Sequence, residues 1–501
     1  MTNPPPTAPD SILAPGENCW SVDRATRLSV VIDADAYFAA AREAMLRAQR
    51  RIMLIGWDFD ARIRLGGPKG GPDAPDEVGE FILWLVRRNP TLEVFLLRWD
   101  LGAVHTLFRG TTGITFLKWM MHKRIHTKLD GAHPPAASHH QKIVVIDDSF
   151  AFCGGIDMTG DRWDTRHHRD EEPGRKRPNG RPYPPWHDAT TAIEGPVAAR
   201  LGELARDRWH TAGGKRLHPI EETHEAWPDS LRPQFHDVDV AISRSRPTLP
   251  DLEPIREIEV LYLAMIAAAR RFIYAESQYF ASRRIAEAIA RRLDEPDGPE
   301  IVIVNPLTAN GWLEPIAMDS ARARLCEALH RRDVHGRFRI YHPQTAAGEA
   351  IYVHAKIMIV DEEMIRVGSS NMNNRSMRLD TECDVTIERA RPANGACGDT
   401  IRAIRDDLIA EHLGVDRETV AARIDAEGSI IATIEALRGQ GRTLAPYEVP
   451  DLSAVETWLA DNEVLDPEGP EEMFESLGKR GLFRGYRDRR AARRRLKKPP
   501  A

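Results

Sequence analysis

Two histidine–lysine pairs occur at the same spacing in two distant parts of the chain. Both follow the pattern HxKxxxxD, and the second pattern begins 214 residues after the first. The residues are His140, Lys142 and Asp147 in SHHQKIVVID, and His354, Lys356 and Asp361 in VHAKIMIVD. One such pattern could arise by chance, but two indicate that both copies take part in the same chemistry.

The residue types in these pairs suit a phosphoryl group. An ammonium is a fixed cation for an anionic oxygen, and an imidazole can act as nucleophile, base or acid near neutral pH. Residues two apart on a strand point to the same face, so we expect His140 and Lys142 to project together. Cleaving a phosphodiester through an enzyme intermediate needs a nucleophile on one side and a proton donor on the other. Two copies facing each other would supply both without a metal.

Other polar residues could complete such a site. A nucleophilic histidine must be held in one tautomer, normally by a carboxylate. Asp188 in PWHD and Glu382 in DTEC stand at comparable places, and we predict that each orients the histidine of the other half. Asn371 could add a hydrogen bond to the phosphate. Asp147 and Asp361 fall at predicted strand ends, where a structural role in the turn is at least as well supported as catalysis.

The surroundings of the two patterns are repeated as well. AMLRAQRRIMLIGWDF (44–59) and AMIAAARRFIYAESQYF (264–280) each run from an Ala-rich helical segment through Arg-Arg into a β-branched or aromatic run. Small residues with a structural role follow both patterns at matching intervals, and the glycines among them permit close backbone approach. These are Gly154 and Gly155 in the first copy, and Gly368 and Ser369 in the second. The sequence therefore contains an internal duplication.

The repeat also predicts the fold. Each motif lysine is followed by an apolar run, IVVI or IMIV, which is typical of a strand in a sheet covered by helices on both faces. We predict an α/β fold of two similar α/β sandwich halves with one active site at their interface. The expected organisation is a flexible leader (1–18), two halves (19–230 and 231–415), and an acidic helical segment with a polybasic tail (416–501). The charged, Pro/Gly-rich residues 166–185 should form a long surface loop.

Composition narrows the function classes. The 501 residues, 42% of them apolar, suffice for two or three domains, and a net charge of −6 argues against a nucleic-acid partner. The five scattered cysteines indicate a reducing compartment and support neither a disulfide framework nor a zinc site. We see no signal peptide and no membrane span, so we expect a cytoplasmic protein at the inner membrane face or one exported without a cleavable signal.

The motif residues and their flanks resemble the phospholipase D superfamily, and in particular phospholipase D proper. The resemblance covers about Cys19 to Leu413 and rests on the duplicated HxKxxxxD, on GGIDMTGDRWDT, PWHDATTAIEGP and ESQYF, and on VGSSNMNNRSM. It implies hydrolysis or alcohol exchange of membrane glycerophospholipids through a phosphohistidine, giving phosphatidic acid and a free head group. It also implies that no metal or cofactor is used, and the internal duplication of the site makes a monomer sufficient.

The resemblance further implies a role for each residue. His140 would be the nucleophile and His354 the acid that protonates the leaving alcohol and then activates water. Lys142, Lys356 and Asn371 would bind phosphate, while Glu382 orients His140 and Asp188 orients His354. We leave Asp157 outside the phosphate shell because a carboxylate beside a phosphate is unfavourable.

Alternatives stay open for the function and for three segments. The chain could be a phosphatidyltransferase of the cardiolipin synthase type, or, with less support, a nuclease of the same superfamily. ITFLKWMMHKRIH, with Phe116, Trp119, Met120 and Met121, could insert into lipid, but we favour a core helix. His167 and His168 suggest a metal only faintly, and we favour a solvated loop. The basic tail 484–498 is either a solubilising end or a contact for anionic lipid.

Overall fold

The structure is a computed structural model that describes residues 11–66, 74–99, 112–134, 137–249, 252–309, 318–439 and 441–450. The strands are β1 (Ser21–Ile32), β2 (Arg51–Gly56), β3 (Glu93–Trp99), β4 (Ile125–Asp130), β5 (Ile143–Ile146), β6 (Phe150–Gly154), β7 (Trp186–His187), β8 (Ala189–Glu194), β9 (Phe235–Arg246), β10 (Ile255–Arg256), β11 (Phe272–Glu276), β12 (Glu300–Val304), β13 (Phe338–Gln344), β14 (Tyr352–Val353), β15 (Ile357–Val360), β16 (Met364–Gly368), β17 (Glu382–Glu388) and β18 (Thr443–Pro446). The helices are α1 (Ala34–Leu46), α2 (Val78–Arg88), α3 (Thr112–Met120), α4 (Pro196–Thr211), α5 (Glu257–Ala268), α6 (Arg283–Leu293), α7 (Ser320–Arg332), α8 (Gly398–Leu413), α9 (Arg417–Glu427) and α10 (Ile430–Leu437).

The sheet topology repeats itself about its centre. Within the described residues, sixteen strands form one mixed sheet. On one side of the centre the order is β1-β8-β6-β5-β2-β3-β4, and on the other it is β9-β17-β16-β15-β11-β12-β13. β1 and β9 pair antiparallel where the two halves meet, with Ser21 opposite Ile242. The predicted α/β fold of two similar halves is confirmed, and the halves share one sheet.

Helices cover both faces of this sheet. In β5, Ile143 and Val145 belong to the core beneath α4 and α8, whereas Val144 and Ile146 belong to the core beneath α1 and α2. β15 divides its residues in the same way between the first of these cores and a third core beneath α5 and α6. Because both faces are buried, each motif strand is a continuous apolar run rather than an alternating one.

The motif aspartates hold the start of a neighbouring strand in place. Each accepts hydrogen bonds from three consecutive backbone N–H groups, and the side chain of each is buried. The donors are Gln49, Arg50 and Arg51 for Asp147, and Arg270, Arg271 and Phe272 for Asp361. Both aspartates have positive φ, 50° and 52°, which this residue type tolerates better than most. Their contacts are those of a structural role.

The packed chain begins earlier than we predicted. The Ser11 hydroxyl donates to Glu388, the Ile12 N–H donates to the same carboxylate at 2.7 Å, and the Leu13 side chain is buried. Residues 11–18 are therefore part of the fold, because a carboxylate at the end of β17 satisfies their polar groups. Residues 1–10 of the predicted leader lie outside the described residues.

The apolar segment ITFLKWMMHKRIH divides between core and surface. Phe116 and Trp119 on α3 are buried, as the core interpretation predicts. Met120 and Met121 are 71% and 78% exposed, so the core interpretation is wrong for this pair. Phe116 and Trp119 are three residues apart and share the buried face of the helix, whereas Met120 is its last residue and Met121 follows it.

The C-terminal part packs onto the second half as far as it is described. α9 and α10 follow α8, and β18 then pairs antiparallel with β13 at the edge of the sheet. The predicted polybasic tail lies outside the described residues. None of the helices in the described ranges has both the length and the apolar character needed to cross a membrane.

Candidate active site

Short parallel pairings between the halves bring the two histidines together. The backbone N–H of each catalytic-site histidine donates a hydrogen bond to a backbone carbonyl of the other half. The His140 N–H donates to the Thr381 carbonyl at 3.0 Å, and the His354 N–H donates to the His187 carbonyl at 2.7 Å. Each acceptor is followed in the chain by a carboxylate residue. The pairing therefore places each histidine beside a carboxylate of the other half.

The crossed contacts that we predicted are present. His140 Nδ1 lies 3.1 Å from both Glu382 oxygens, and His354 Nδ1 lies 2.7 Å from Asp188 Oδ2. A proton on Nδ1 of each ring satisfies its carboxylate and leaves Nε2 as the ring nitrogen available for chemistry. The two ring centroids are 6.5 Å apart. Two oriented imidazoles thus face one another across the interface.

Two hydroxyls hold the carboxylate behind His140. Ser369 Oγ donates to Glu382 Oε2 at 2.5 Å, and Ser376 Oγ donates to Glu382 Oε1 at 2.7 Å. We predicted only a structural role for Ser369, as a residue of the motif, and we missed Ser376. Ser376 reaches the carboxylate from the single helical turn Arg375–Leu379. Its spacing from the motif carries no signal that could have identified it.

The motif lysines reach the site differently from our prediction. β5 begins at Ile143 and β15 at Ile357, so the histidines and lysines precede the strands and do not share a strand face. Instead each lysine folds back, so that the ammonium donates to the carbonyl of the histidine two residues earlier. Lys142 Nζ does so to His140 at 2.7 Å, and Lys356 Nζ does the same to His354.

Asp157 lies against the first of these lysines. Its Oδ2 is 3.2 Å from Lys142 Nζ, both side chains are buried, and Asp157 lines the cleft. We left Asp157 outside the phosphate shell. The structure places its carboxylate where it neutralises Lys142 while no phosphate is present. Asn371 occupies the matching position in the second half and is also on the cleft wall, where its Oδ1 has no hydrogen-bond partner among the described residues.

Burial dominates the electrostatics of the site. Burial and the neighbouring lysines hold the pKa values of His140 and His354 well below the usual imidazole value, so both rings are neutral near pH 7. Burial also raises the pKa values of Glu382 and Asp188, and it lowers the pKa of Lys356 to about 7. Neutral imidazoles beside cationic groups form a site prepared for an anion that brings its own charge.

The cleft around the histidines has a volume of about 500 Å³ and an aromatic rim. Trp57 stacks on Trp99 with centroids 5.7 Å apart, and the Arg162 guanidinium lies 4.2 Å from the Trp186 ring centroid. Sequence reasoning did not single out these four residues. Other lining residues that it missed are Gln278, Tyr279, Asn373, Arg375 and Asp380.

The predicted small residues are required by close approach. A Cβ on Gly155 would collide with the Asp188 carboxylate and would lie 3.3 Å from the His354 carbonyl oxygen. A Cβ on Gly154 would collide with Thr190, and one on Gly368 with Asp384. Gly155 therefore leaves room for the carboxylate that orients His354.

Comparisons with known proteins identify similar chains. A family model described as "Cardiolipin synthase, PLD-like domain" matches residues 262–396. Phospholipase D alpha 1 from Arabidopsis thaliana is 24% identical and that from Brassica oleracea var. capitata 25% identical, each over 75% of this chain and 64% of the relative. The chain therefore spans about 64% of the length of these curated relatives. The crystal structure of phosphatidylserine synthase from Haemophilus influenzae Rd KW20 has a similar fold, with a TM-score of 0.51, 14% identity, and coverage of 82% of this chain and 94% of that one.

Proposed function

The chain belongs to the phospholipase D superfamily, and from this premise we propose that it is a phospholipase D that hydrolyses glycerophospholipids to phosphatidic acid and a free head group. The observation that carries the proposal is the pair of imidazoles, 6.5 Å apart between ring centroids, each oriented by a carboxylate of the other half and each accompanied by a lysine. This arrangement provides a nucleophile and a proton donor on opposite sides of one phosphorus atom.

The first step forms a covalent intermediate. His140 Nε2 attacks phosphorus, the N–P bond forms, and the bond from phosphorus to the head-group oxygen breaks. His354 Nε2 gives its proton to the leaving alkoxide, a contribution worth about 10²–10⁴-fold. The phosphorylated ring of His140 is cationic, and the Glu382 carboxylate at its Nδ1–H stabilises that charge.

The second step releases phosphatidic acid. His354 Nε2 takes a proton from water, the water oxygen attacks phosphorus, and the N–P bond to His140 breaks. The lipid product leaves and His354 is protonated again for the next cycle. An alcohol in place of water gives phosphatidyl transfer by the same step.

Substrate binding favours the protonated form of His354, which the first step requires. Its pKa is lowered by burial and by Lys356 and Arg162, so in the free enzyme the ring lacks the proton that it must donate. A bound phosphodiester brings one negative charge next to those cations and offsets them. The proton on His354 is then favoured when a substrate is present, because an opposite charge within a few ångströms favours the charged form.

Three groups can hold the phosphate oxygens. Lys142 and Lys356 supply positive charge, since a bound phosphate favours the protonated form of Lys356, and Asn371 supplies an amide on the cleft wall. The Asp157 carboxylate lies 3.2 Å from Lys142 Nζ, and a phosphate oxygen can replace it as the partner of this lysine. Such fixed charge, held in a buried site, stabilises the equatorial oxygens in the transition state.

A second candidate function is phosphatidyl transfer to an alcohol or lipid acceptor. It is favoured by the family model for cardiolipin synthase, which matches residues 262–396. Both functions use the same intermediate and differ only in the acceptor of the second step. A nuclease activity is less supported, because the chain carries a net charge of −6 and nucleic-acid binding relies on positive charge.

A product assay on mixed liposomes tests the proposal. Vesicles of phosphatidylcholine, phosphatidylethanolamine, phosphatidylglycerol and cardiolipin are incubated with the full chain, ethanol and no added metal ion. Phosphatidic acid and phosphatidylethanol are expected from the wild type and from the control His167→Ala, whose exposed residue lies outside the cleft. Neither product is expected from His140→Ala or His354→Ala. Cleavage of a nucleic acid with no lipid product would overturn the substrate assignment.

A substrate with a good leaving group separates the two histidine roles. Phosphatidyl-p-nitrophenol needs little help from an acid, so His354→Ala should still release p-nitrophenol in the first step. Without a base for the second step, the phosphatidyl group should remain on His140, and mass spectrometry of the peptide would detect it. Trapping of the group on His354 in the His140→Ala variant instead would reverse the two roles.

A further inference from the structure

A second cluster of ionisable side chains lies behind the active site. Asp33 directly follows β1, His168 belongs to the long loop of the first half, His187 is in β7, and Glu411 is in α8. The side chains of all four are 0–1% exposed. None of them lines the catalytic cleft. We assigned His168 to a solvated loop. That prediction is wrong for His168, which packs among carboxylates, while His167 is exposed.

The donor atoms of these four residues lie within 4.8 Å of one another. His168 Nε2 is 3.2 Å from Glu411 Oε1 and 3.4 Å from Asp33 Oδ2. His187 Nδ1 is 3.1 Å from the same Glu411 oxygen and 3.2 Å from Asp33 Oδ1. Bonds of about 2.0–2.1 Å in a tetrahedral site place the ligand atoms about 3.3 Å apart. The observed separations match that spacing.

Outer carboxylates orient both imidazoles toward this point. His168 Nδ1 lies 3.1 Å from Asp164 Oδ2, and His187 Nε2 lies 2.8 Å from Glu276 Oε2. Each ring thus presents one nitrogen to the centre and donates its other N–H to a carboxylate. Histidines that bind metals are normally held in this way, because the outer carboxylate fixes the tautomer and raises the basicity of the ligand.

The charges of the cluster leave room for a divalent cation. Two arginines neutralise two of the four carboxylates. The pairs are Arg166 with Glu411 at 2.5 Å and Arg175 with Asp164 at 3.2 Å. Asp33 and Glu276 form no ion pair with a lysine or arginine among the described residues, and the buried Oδ2 of Asp33 has no hydrogen-bond partner there. With neutral imidazoles, two negative charges remain.

From this geometry we propose that Asp33, His168, His187 and Glu411 bind a structural zinc ion. Two imidazole nitrogens and two carboxylate oxygens in a closed, buried, four-coordinate arrangement suit Zn²⁺. Calcium prefers six to eight oxygen ligands, which this site does not supply. The ion takes no part in the phosphoryl transfer proposed above, and the inference does not rest on that function.

The site has a mechanical connection to the catalytic histidine. The Asp33 backbone N–H donates to the Asp188 carbonyl at 2.8 Å, and Asp33 Oδ1 accepts from the Asp188 N–H at 3.1 Å. His187 also precedes Asp188 directly in the chain. A bound ion therefore fixes the segment that presents Asp188 to His354. Through Glu411 it also links the second half to the first.

Metal analysis of the full chain tests the proposal. The protein is purified without chelator, incubated with Zn²⁺ and desalted, and its metal content is measured by inductively coupled plasma mass spectrometry. One zinc ion per chain is expected in the wild type, in His167→Ala, and in His354→Ala, which removes a cleft imidazole. The ion should be absent from His168→Asn. A metal-free wild type would overturn the proposal, and so would equal zinc binding by His168→Asn.

Two further measurements cover the case in which His168→Asn does not fold. Cobalt substitution of the wild type should give the visible absorption of a tetrahedral Co²⁺ ion, and added Zn²⁺ should remove it. Asp164→Asn keeps all four ligands and changes the outer partner of His168, which also binds Arg175 and the Trp186 N–H, so its affinity for zinc should fall by about 10–100-fold. The absence of the tetrahedral spectrum, or an unchanged affinity in Asp164→Asn, would contradict the assigned ligands.

Discussion

Replacing Glu382 by glutamine should disable the nucleophile without unfolding the protein. The Glu382 carboxylate accepts from His140 Nδ1 and from the hydroxyls of Ser369 and Ser376. An amide has one acceptor oxygen, and its NH₂ group cannot accept from the imidazole N–H. In the variant, His140 loses a charge-assisted hydrogen bond and its ring can carry the proton on Nε2. A protonated Nε2 cannot attack phosphorus.

The expected loss of activity follows from the contact that is removed. A hydrogen bond to a charged group contributes about 1.5–3 kcal/mol, and each 1.36 kcal/mol is tenfold in rate, so kcat should fall by at least about tenfold to 100-fold. A change of tautomer adds to this; in serine proteases the corresponding substitution lowers kcat by about 10⁴-fold. Stability should not fall, because burial raises the pKa of Glu382 and the neutral amide is cheaper to bury than the carboxylate.

The assay combines initial rates at saturating lipid with thermal unfolding of the same samples. Glu388→Gln is the matched control. It changes the same residue type at the other end of β17, six residues or about 20 Å from Glu382. We expect the control to keep the wild-type kcat and Glu382→Gln to lose it, with no decrease in the melting temperature of Glu382→Gln.

A double variant shows whether the carboxylate acts through His140. If Glu382 only orients this ring, adding Glu382→Gln to His140→Ala should cause no further loss of residual activity. Independent, multiplicative losses would refute the orienting role. A kcat for Glu382→Gln within about twofold of the wild type would refute the reasoning altogether, since a removed charge-assisted bond costs more than that.

Three more predictions follow from the geometry. In plots of rate against pH, the alkaline limb of kcat should lie at higher pH than the alkaline limb of kcat/KM. The reason is that a bound phosphate raises the pKa of His354 above its lowered value in the free enzyme. Alkaline limbs at the same pH would contradict this prediction. Gly155→Ala should abolish head-group release, because the added Cβ displaces Asp188. The control Gly160→Ala should be active, because its Cβ would be 3.8 Å from the nearest neighbouring atom. Equal activities of the two variants would refute the steric argument. Asp361→Ala should destabilise the fold by at least about 2 kcal/mol, because it leaves three backbone N–H groups without their acceptor. The variant should have a lower melting temperature and an unchanged kcat. A melting temperature equal to that of the wild type would contradict this prediction.

The fold could be predicted because local patterns repeat. The apolar runs after Lys142 and Lys356 marked β5 and β15, and the Arg-Arg steps before β2 and β11 marked the corresponding strands of the two halves. The single continuous sheet could not be predicted in this way. It depends on β1 pairing with β9, a contact between strands more than 200 residues apart that leaves no periodic signal in either segment.

The candidate site was accessible to sequence reasoning where position in the repeat defines it. His140, His354, Glu382 and Asp188 have equivalents in the other half, so each could be found from its counterpart. Ser376 could not be found from a counterpart in the first half, and its contact with Glu382 depends on one helical turn. His168 was misjudged for a related reason: its partners Asp33, after β1, and Glu411, in α8, are distant in sequence.

The two copies of the motif are identical in HxK, so their different roles must come from the surroundings. Asp157 pairs with Lys142, whereas the matching position in the second half is Asn371 and no described carboxylate forms an ion pair with Lys356. His354 therefore lies in the more positive half of the site, where burial and the cations Lys356 and Arg162 lower its pKa. A lowered pKa makes its protonated form a stronger acid, which suits the proton donor, whereas the Asp157 carboxylate opposes the same effect at His140. The substitution of Asp for Asn at one position of the repeat thus provides a physical basis for asymmetric chemistry in a nearly symmetric site.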